Sequence, residues 1–109
     1  MREAVVYMNH VLAGVLTERV DRSFSFWYED NYFVDNSKPA ISLTLPKSKQ
    51  EYVAESMFPF FYNMLSEGSN RKYQAHLFHA DEDDYFKILV ESASHDNIGP
   101  ISFKWINRS

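Results

Sequence analysis

Residues 94 to 96, Ser-His-Asp, carry the three side-chain types of a hydrolytic triad. A triad needs those groups to face one another across a fold, which consecutive residues cannot do, so "SHDNIGP" (94–100) is read as a turn. His76 and His79 stand three apart, close to Asp81, Asp83 and Asp84, a spacing that could offer imidazoles and carboxylates to a divalent ion. Histidines that end a helix ahead of an acidic cap belong more often to a solvated face, and no metal is assigned to them. Glycine occurs only at 14, 68 and 99, so neither a Walker loop nor a kinase glycine-rich loop can be written, and no HRD-like or DFG-like tripeptide is present. Trp27 and Trp105 are of the type favoured at binding hot spots, but on strands they are expected to lie partly buried against a sheet. No catalytic residue, cofactor or metal is assigned, and an enzyme is not expected.

The elements around these residues are those of an ordinary folded domain. With 109 residues the chain is the size of one domain, 1–109, able to bury roughly two thirds of its unfolded surface. An apolar content of 45% excludes a disordered or low-complexity class, and the lack of cysteine excludes disulfides and thiolate metal sites. A net charge of −4 argues against direct nucleic-acid binding, which relies on clustered Lys and Arg. No stretch is long and apolar enough for a signal peptide or a membrane span, so a cytoplasmic location is expected.

"AVVYMN" (4–9) and "VLAGVLTE" (11–18) predict a hairpin. In "SFSFWYED" (23–30), Phe24, Phe26 and Tyr28 alternate with Ser23, Ser25 and Trp27, a strand pattern. "DNSKP" (35–39) is turn chemistry. "AISLTLP" (40–46) sets Ile41, Leu43 and Leu45 on one face and predicts a half-buried strand. Met57, Phe61, Met64 and Leu65 then fall at helical spacing, with Pro59 placing the helix start near Ser56 or Phe58 and Gly68 as its C′ residue. "NRKYQAHLFHA" (70–80) predicts a helix with Tyr73 and Leu77 inward. "DEDDYFKILVES" (81–92) predicts another, acidic in its first turn, with Phe86, Leu89 and Val90 inward. "ISFKW" (101–105) closes as a strand. The order points to an α+β domain: an antiparallel sheet of about five strands with two to three helices.

Several of these segments, taken in order, resemble one family. "VYMNHVLAGVLTE" is similar to the opening of HipA-type serine/threonine kinases, with its V-x-M-N…G-x-L-T pattern. "FSFWYED" followed by "PAISLTLP" resembles that family's F-x-Y segment and P-[IL]-S-L-S-L-P. "FPFFYNMLSEGSNR" resembles F-x-x-F-F-x-N-L-L-P-E-G-x-x-R through Phe58, Phe61, Asn63, Leu65, Glu67, Gly68 and Arg71. "DYFKILVESASHDNIGPISF" resembles D-x-F-x-L-L-x-x-x-G-x-D-x-x-G-A, keeping Asp96 and Gly99 but carrying Ala93 and Pro100 in place of that pattern's residues. Ser66 stands where the family usually has proline. The resemblance spans about residues 5 to 103.

What is resembled is the small N-terminal subdomain that precedes the kinase core. In three-gene toxin–antitoxin operons a similar subdomain is encoded separately, as HipS, beside a shortened kinase toxin, HipT, and a DNA-binding protein, HipB. A chain with its own Met1 is expected to follow that arrangement. The resemblance implies a non-catalytic antitoxin component that binds and restrains a HipT/HipA-like serine/threonine kinase. The alternative it implies is a scaffold that joins the kinase to a HipB-like helix-turn-helix repressor without inhibiting it. Met64, Leu65, Ser66, Glu67, Gly68, Ser69, Asn70 and Arg71 are the expected kinase interface, since motif residues there have no obvious packing role; helix capping by Glu67 and Gly68 is the competing explanation.

Overall fold

The β-branched and aromatic residues that open the chain pair into a hairpin. The computed structural model describes residues 1–65, 69–81, 83–95 and 100–107. In it β1 (Arg2–Met8) runs antiparallel to β2 (Val11–Glu18). Asn9 and His10 between them both take positive φ, 51° and 67°, the left-handed pair that a tight two-residue hairpin favours. Next, β3 (Phe24–Tyr28) pairs with β2, and a short β4 (Glu51–Ala54) pairs with β3. The last strand, β5 (Ile101–Asn107), returns to pair with β1, so the order is β4-β3-β2-β1-β5, antiparallel throughout.

Among the described residues four helices punctuate this sheet: α1 (Asp30–Val34), α2 (Pro59–Tyr62), α3 (Ser69–Leu77) and α4 (Tyr85–His95). Strand register puts Ala4, Val6, Leu16, Phe24, Phe26, Tyr28, Ile101 and Phe103 on one face, all buried. Phe86 of α4 stacks on Phe24 with ring centroids 6.5 Å apart and tilts against Trp105 at 5.6 Å. Phe61 of α2 sits 5.8 Å from Phe26 and 5.9 Å from Phe103. These rings form one continuous core, with Ile88, Leu89 and Val90 adding the buried side of α4. Gly14 lets the strands close up: a Cβ there would lie 2.2 Å from the Trp27 carbonyl oxygen and 2.8 Å from Phe26 Cζ.

The antiparallel α+β architecture with five strands is as the sequence reads, and α1 adds one helix to the two or three expected. Several details differ, among them the start of α4 at Tyr85, which leaves no acidic residue in its first turn. The 40–46 segment is a loop rather than a strand: Ile41 and Leu45 are buried, but Leu43 is 100% exposed. The fourth strand comes instead from Glu51–Ala54. In α3, Tyr73 and Leu77 face outward, 66% and 53% exposed, and Ala75 is the buried residue. Proline position is read correctly, since Phe58 is the N-cap of α2 and Pro59 opens it. That helix nevertheless stops at Tyr62 with Asn63 as its cap, so Gly68, which lies outside the described residues, is not the C′ residue of this helix.

Candidate functional site

The segment from Met57 to Leu65 is seated by aromatic packing. Met57, Phe58, Phe61 and Leu65 are buried, and Phe60 and Met64 pack partly buried against the same core. Phe61 meets Phe58 and Phe60 edge-on at 6.3 and 5.1 Å. Backbone bonds from Met64 N to Phe61 O (3.1 Å) and from Leu65 N to Tyr62 O (3.0 Å) carry one tight turn beyond α2. Of the expected interface, then, Leu65 is a core residue and Met64 half of one. Ser66, Glu67 and Gly68 lie outside the described residues, whereas Ser69, Asn70 and Arg71 supply the first three backbone positions of α3. Just before this stretch, Met57, Pro59, Tyr62 and Tyr85 line an apolar groove of about 280 Å³ between α2 and α4. The Tyr62 and Tyr85 rings meet edge-to-face at 5.3 Å within it.

The residues that raised the question of chemistry are placed separately. Among the described residues no three His, Asp or Glu side chains gather to hold a metal ion. His76 and His79 are exposed at and beyond the end of α3, and Asp81 and Asp83 are exposed in the connection that follows. Asp84 is different. Its Oδ1 accepts Lys87 N at 3.2 Å and its carbonyl accepts Ile88 N at 3.1 Å, which caps α4. The same carboxylate takes two hydrogen bonds from Arg2, at 2.7 and 3.0 Å, while Arg2 also grips Glu18. Burial pushes the Asp84 carboxyl up, but the Arg2 hydrogen bond, the Lys87 amide and the Arg2 charge outweigh it and hold the group below its usual range. The polar cavity of about 190 Å³ around Arg2, Glu18, Arg22 and these aspartates is thus built around paired charges that tie β1 to α4. Ser94 and His95 fall in the last turn of α4 rather than in a turn, and Asp96 lies outside the described residues. Trp105 is half-buried, with Nε1 donating to Glu91 at 3.0 Å; Trp27 is half-buried on the sheet face turned away from the core.

A second constellation was not foreseen from the sequence. The buried Tyr28 hydroxyl accepts from Ile41 N (3.1 Å) and donates to Leu45 O, closing both ends of the 41–45 loop. Burial pushes this hydroxyl up to about 12, so it stays protonated and able to donate. Tyr32, stacked on Tyr28 at 6.0 Å, donates to Pro39 O at 2.6 Å. Lys47 Nζ donates to Asp35 O and Lys38 O at 2.7 and 2.8 Å, drawing the base of the loop together. The signal was available in the sequence only as a phenolic hydroxyl on an inward-facing strand position, where a buried polar atom must find a partner.

These features define an α+β sheet domain clad by helices on one face, in which no catalytic group is assembled among the described residues. The chain belongs to the HipA N-terminal domain family, whose model matches residues 4–104. It is also similar in structure to the N-terminal domain of a HipA toxin, at 22% identity and a TM-score of 0.73, covering 100% of this chain and 96% of that one. The portion matched is the N-terminal subdomain of HipA and not its catalytic kinase part. Comparison with curated proteins finds no match. Among the described residues no helix is long and apolar enough to cross a membrane.

Proposed function

We propose that this chain is a single-domain, non-catalytic antitoxin component, of the HipS kind, that binds and restrains a HipA/HipT-like serine/threonine kinase. The observation that supports the reading is the family match, which takes in residues 4–104 and so nearly all of these 109 residues with a kinase's N-terminal domain. On this reading the domain keeps a surface complementary to the catalytic core that such a subdomain precedes. Docking there would restrain the kinase sterically, by blocking substrate or holding an inactive arrangement. The proposed contact runs from Met64 to Arg71. Leu65, near its start, is buried, and Ser69 to Arg71 open α3. A HipB-like DNA-binding protein joins through the kinase complex, in the cytoplasm, without this acidic chain touching nucleic acid or membrane.

The test is a pull-down of a purified HipT-type kinase with wild-type protein and with Glu67, Ser69 and Arg71 substituted together by alanine. The triple variant is expected to lose most of the captured kinase with an unchanged melting curve. Equal capture would remove this interface. Co-expression separates restraint from scaffolding: an inhibitor rescues growth from the toxic kinase alone, whereas a scaffold does so only when the DNA-binding protein is also present.

A further inference from the structure

The sheet is apolar on both faces, while α2 and α4 pack against only one of them. On the outer face, strand register sets Lys104, Val5, Val15, Trp27 and Glu51 side by side in one row, a residue from each strand. Tyr7 and Leu12 extend the apolar centre along the strands, and Val53 adds to it at the β4 edge. The solvated face of an antiparallel sheet ordinarily alternates to polar residues. Here Val5, Tyr7, Val15 and Trp27 are half-buried, while Leu12 and Val53 are exposed at 41% and 55%. An apolar centre with polar residues around it is the anatomy of a protein–protein contact.

We propose that this outer face is a two-fold interface with a second copy of the same chain. The row carries opposite charges at its ends, Lys104 on β5 and Glu51 on β4, both exposed. Four strand spacings, about 19 Å, separate them, so they cannot pair within one chain. Because β2 is the middle of five strands, a two-fold axis along β2 sets β4 over β5 and β3 over β1 of the second copy. Lys104 then meets the second copy's Glu51 at both ends of the contact, Val5 meets Trp27, and Val15 meets Val15. A two-fold axis running across the strands would instead set Lys104 on Lys104 and Glu51 on Glu51, and repulsion disfavours it. Twist splays the corners of sheets packed in this aligned way, and long Lys and Glu side chains can bridge them.

The other charges around the row do not oppose the arrangement. Glu3, the remaining charged strand position on this face, falls over the second copy's Ser25, a hydroxyl. Arg19 approaches Glu51 at 3.9 Å, a weak surface pair that leaves the glutamate side chain 54% exposed. Glu29 caps α1 through Tyr32 N, and Lys49 lies over the Tyr52 ring. Lys104 and Arg19 balance Glu3 and Glu51, so the match is one of position and not of net charge. Five strands ~4.8 Å apart and about six residues deep make a face of roughly 500 Å². Two such faces bury about 1,000 Å², the size of a weak, concentration-dependent contact. The interface is separate from Met64 to Arg71 and does not rest on the kinase-binding reading.

Sedimentation of the full chain from about 10 to 500 µM tests it. Wild type is expected to pass from monomer to dimer over that range and go no further, because a two-fold contact closes on itself. Lys104→Glu should weaken dimerisation about tenfold, since each pair occurs twice and attraction becomes repulsion. Lys104→Glu/Glu51→Lys, which exchanges the two charges, should return to within about threefold of wild type. Both residues are exposed, so both variants should melt within about 3 °C of wild type. Trp27→Ala should abolish the dimer. A wild type that stays monomeric throughout overturns the interface, and so does growth beyond a dimer. A dimer indifferent to Lys104→Glu, or one that the exchanged charges fail to restore, overturns it as well. A monomer that instead loses a HipT-type kinase on Trp27→Ala would assign the face to that partner and overturn the second copy.

Discussion

Residues 57–65 and 39–47 are both anchored in the core, but by different means. The first is held by its own apolar side chains: Phe58, Phe61 and Leu65 enter the core, and Phe61 is surrounded by four other rings. The second is held largely by polar atoms: Tyr28 and Tyr32 bond its backbone, and its own Lys47 donates to the carbonyls of Asp35 and Lys38. Packing uses up apolar side chains, whereas backbone hydrogen bonding leaves them free. A segment pinned the second way can hold Leu43 rigidly in solvent; one pinned the first way cannot. The contrast locates where this small domain can present a stiff apolar contact.

Removing Phe61 should have the largest effect. Phe61→Ala opens a cavity at the meeting point of α2, β3 and β5 and is expected to destabilise by about 3–5 kcal/mol, read from the urea midpoint. Little change would mean that the 57–65 segment is not held by packing. Tyr28→Phe comes next. It keeps the ring and removes one hydroxyl, leaving Ile41 N and Leu45 O without their partner, for an expected loss of about 2 kcal/mol. Amide exchange at Ile41 should accelerate selectively in that variant. If it stays neutral in both readouts, the loop is held by Ile41 and Leu45 alone and the contrast collapses.

A smaller effect concerns acid. The Asp84 carboxyl is held below its ordinary value near 3.8, so its contribution is present above that value and is lost as pH falls through the lower folded value. Wild-type stability should therefore decline more steeply below about pH 4 than that of Asp84→Asn. The gap between the two seen at neutral pH should close under strong acid. Parallel pH curves would show that the Arg2 clasp adds nothing.

Much of this arrangement is legible in the residues. The β1–β2 hairpin, β3, β5 and the buried face of α4 follow from alternation and helical spacing, because in each the periodicity records actual burial. The 40–46 segment misleads because dipping twice into a core from a turn produces the same alternation at 41 and 45 as a strand, and the side chain between them carries no mark of its exposure. In α3 the large residues Tyr73 and Leu77 suggest an inward face, yet it is the small Ala75 that is buried. At five and four residues, α1 and β4 are too short for any period to show. Of the candidate interface, the sequence marks a motif at Glu67, Gly68 and Arg71 but not which side chains meet a partner, since capping of a helix end and docking both account for such residues.

Restraint of a kinase is measured directly by the phosphorylation rate of a purified HipT-type kinase as this chain is titrated in. The rate is expected to fall to a low plateau at saturating chain, with the triple alanine variant at Glu67, Ser69 and Arg71 shifting the curve to higher concentration. A rate that stays constant while calorimetry shows saturated binding would contradict restraint, leaving a scaffold rather than an inhibitor.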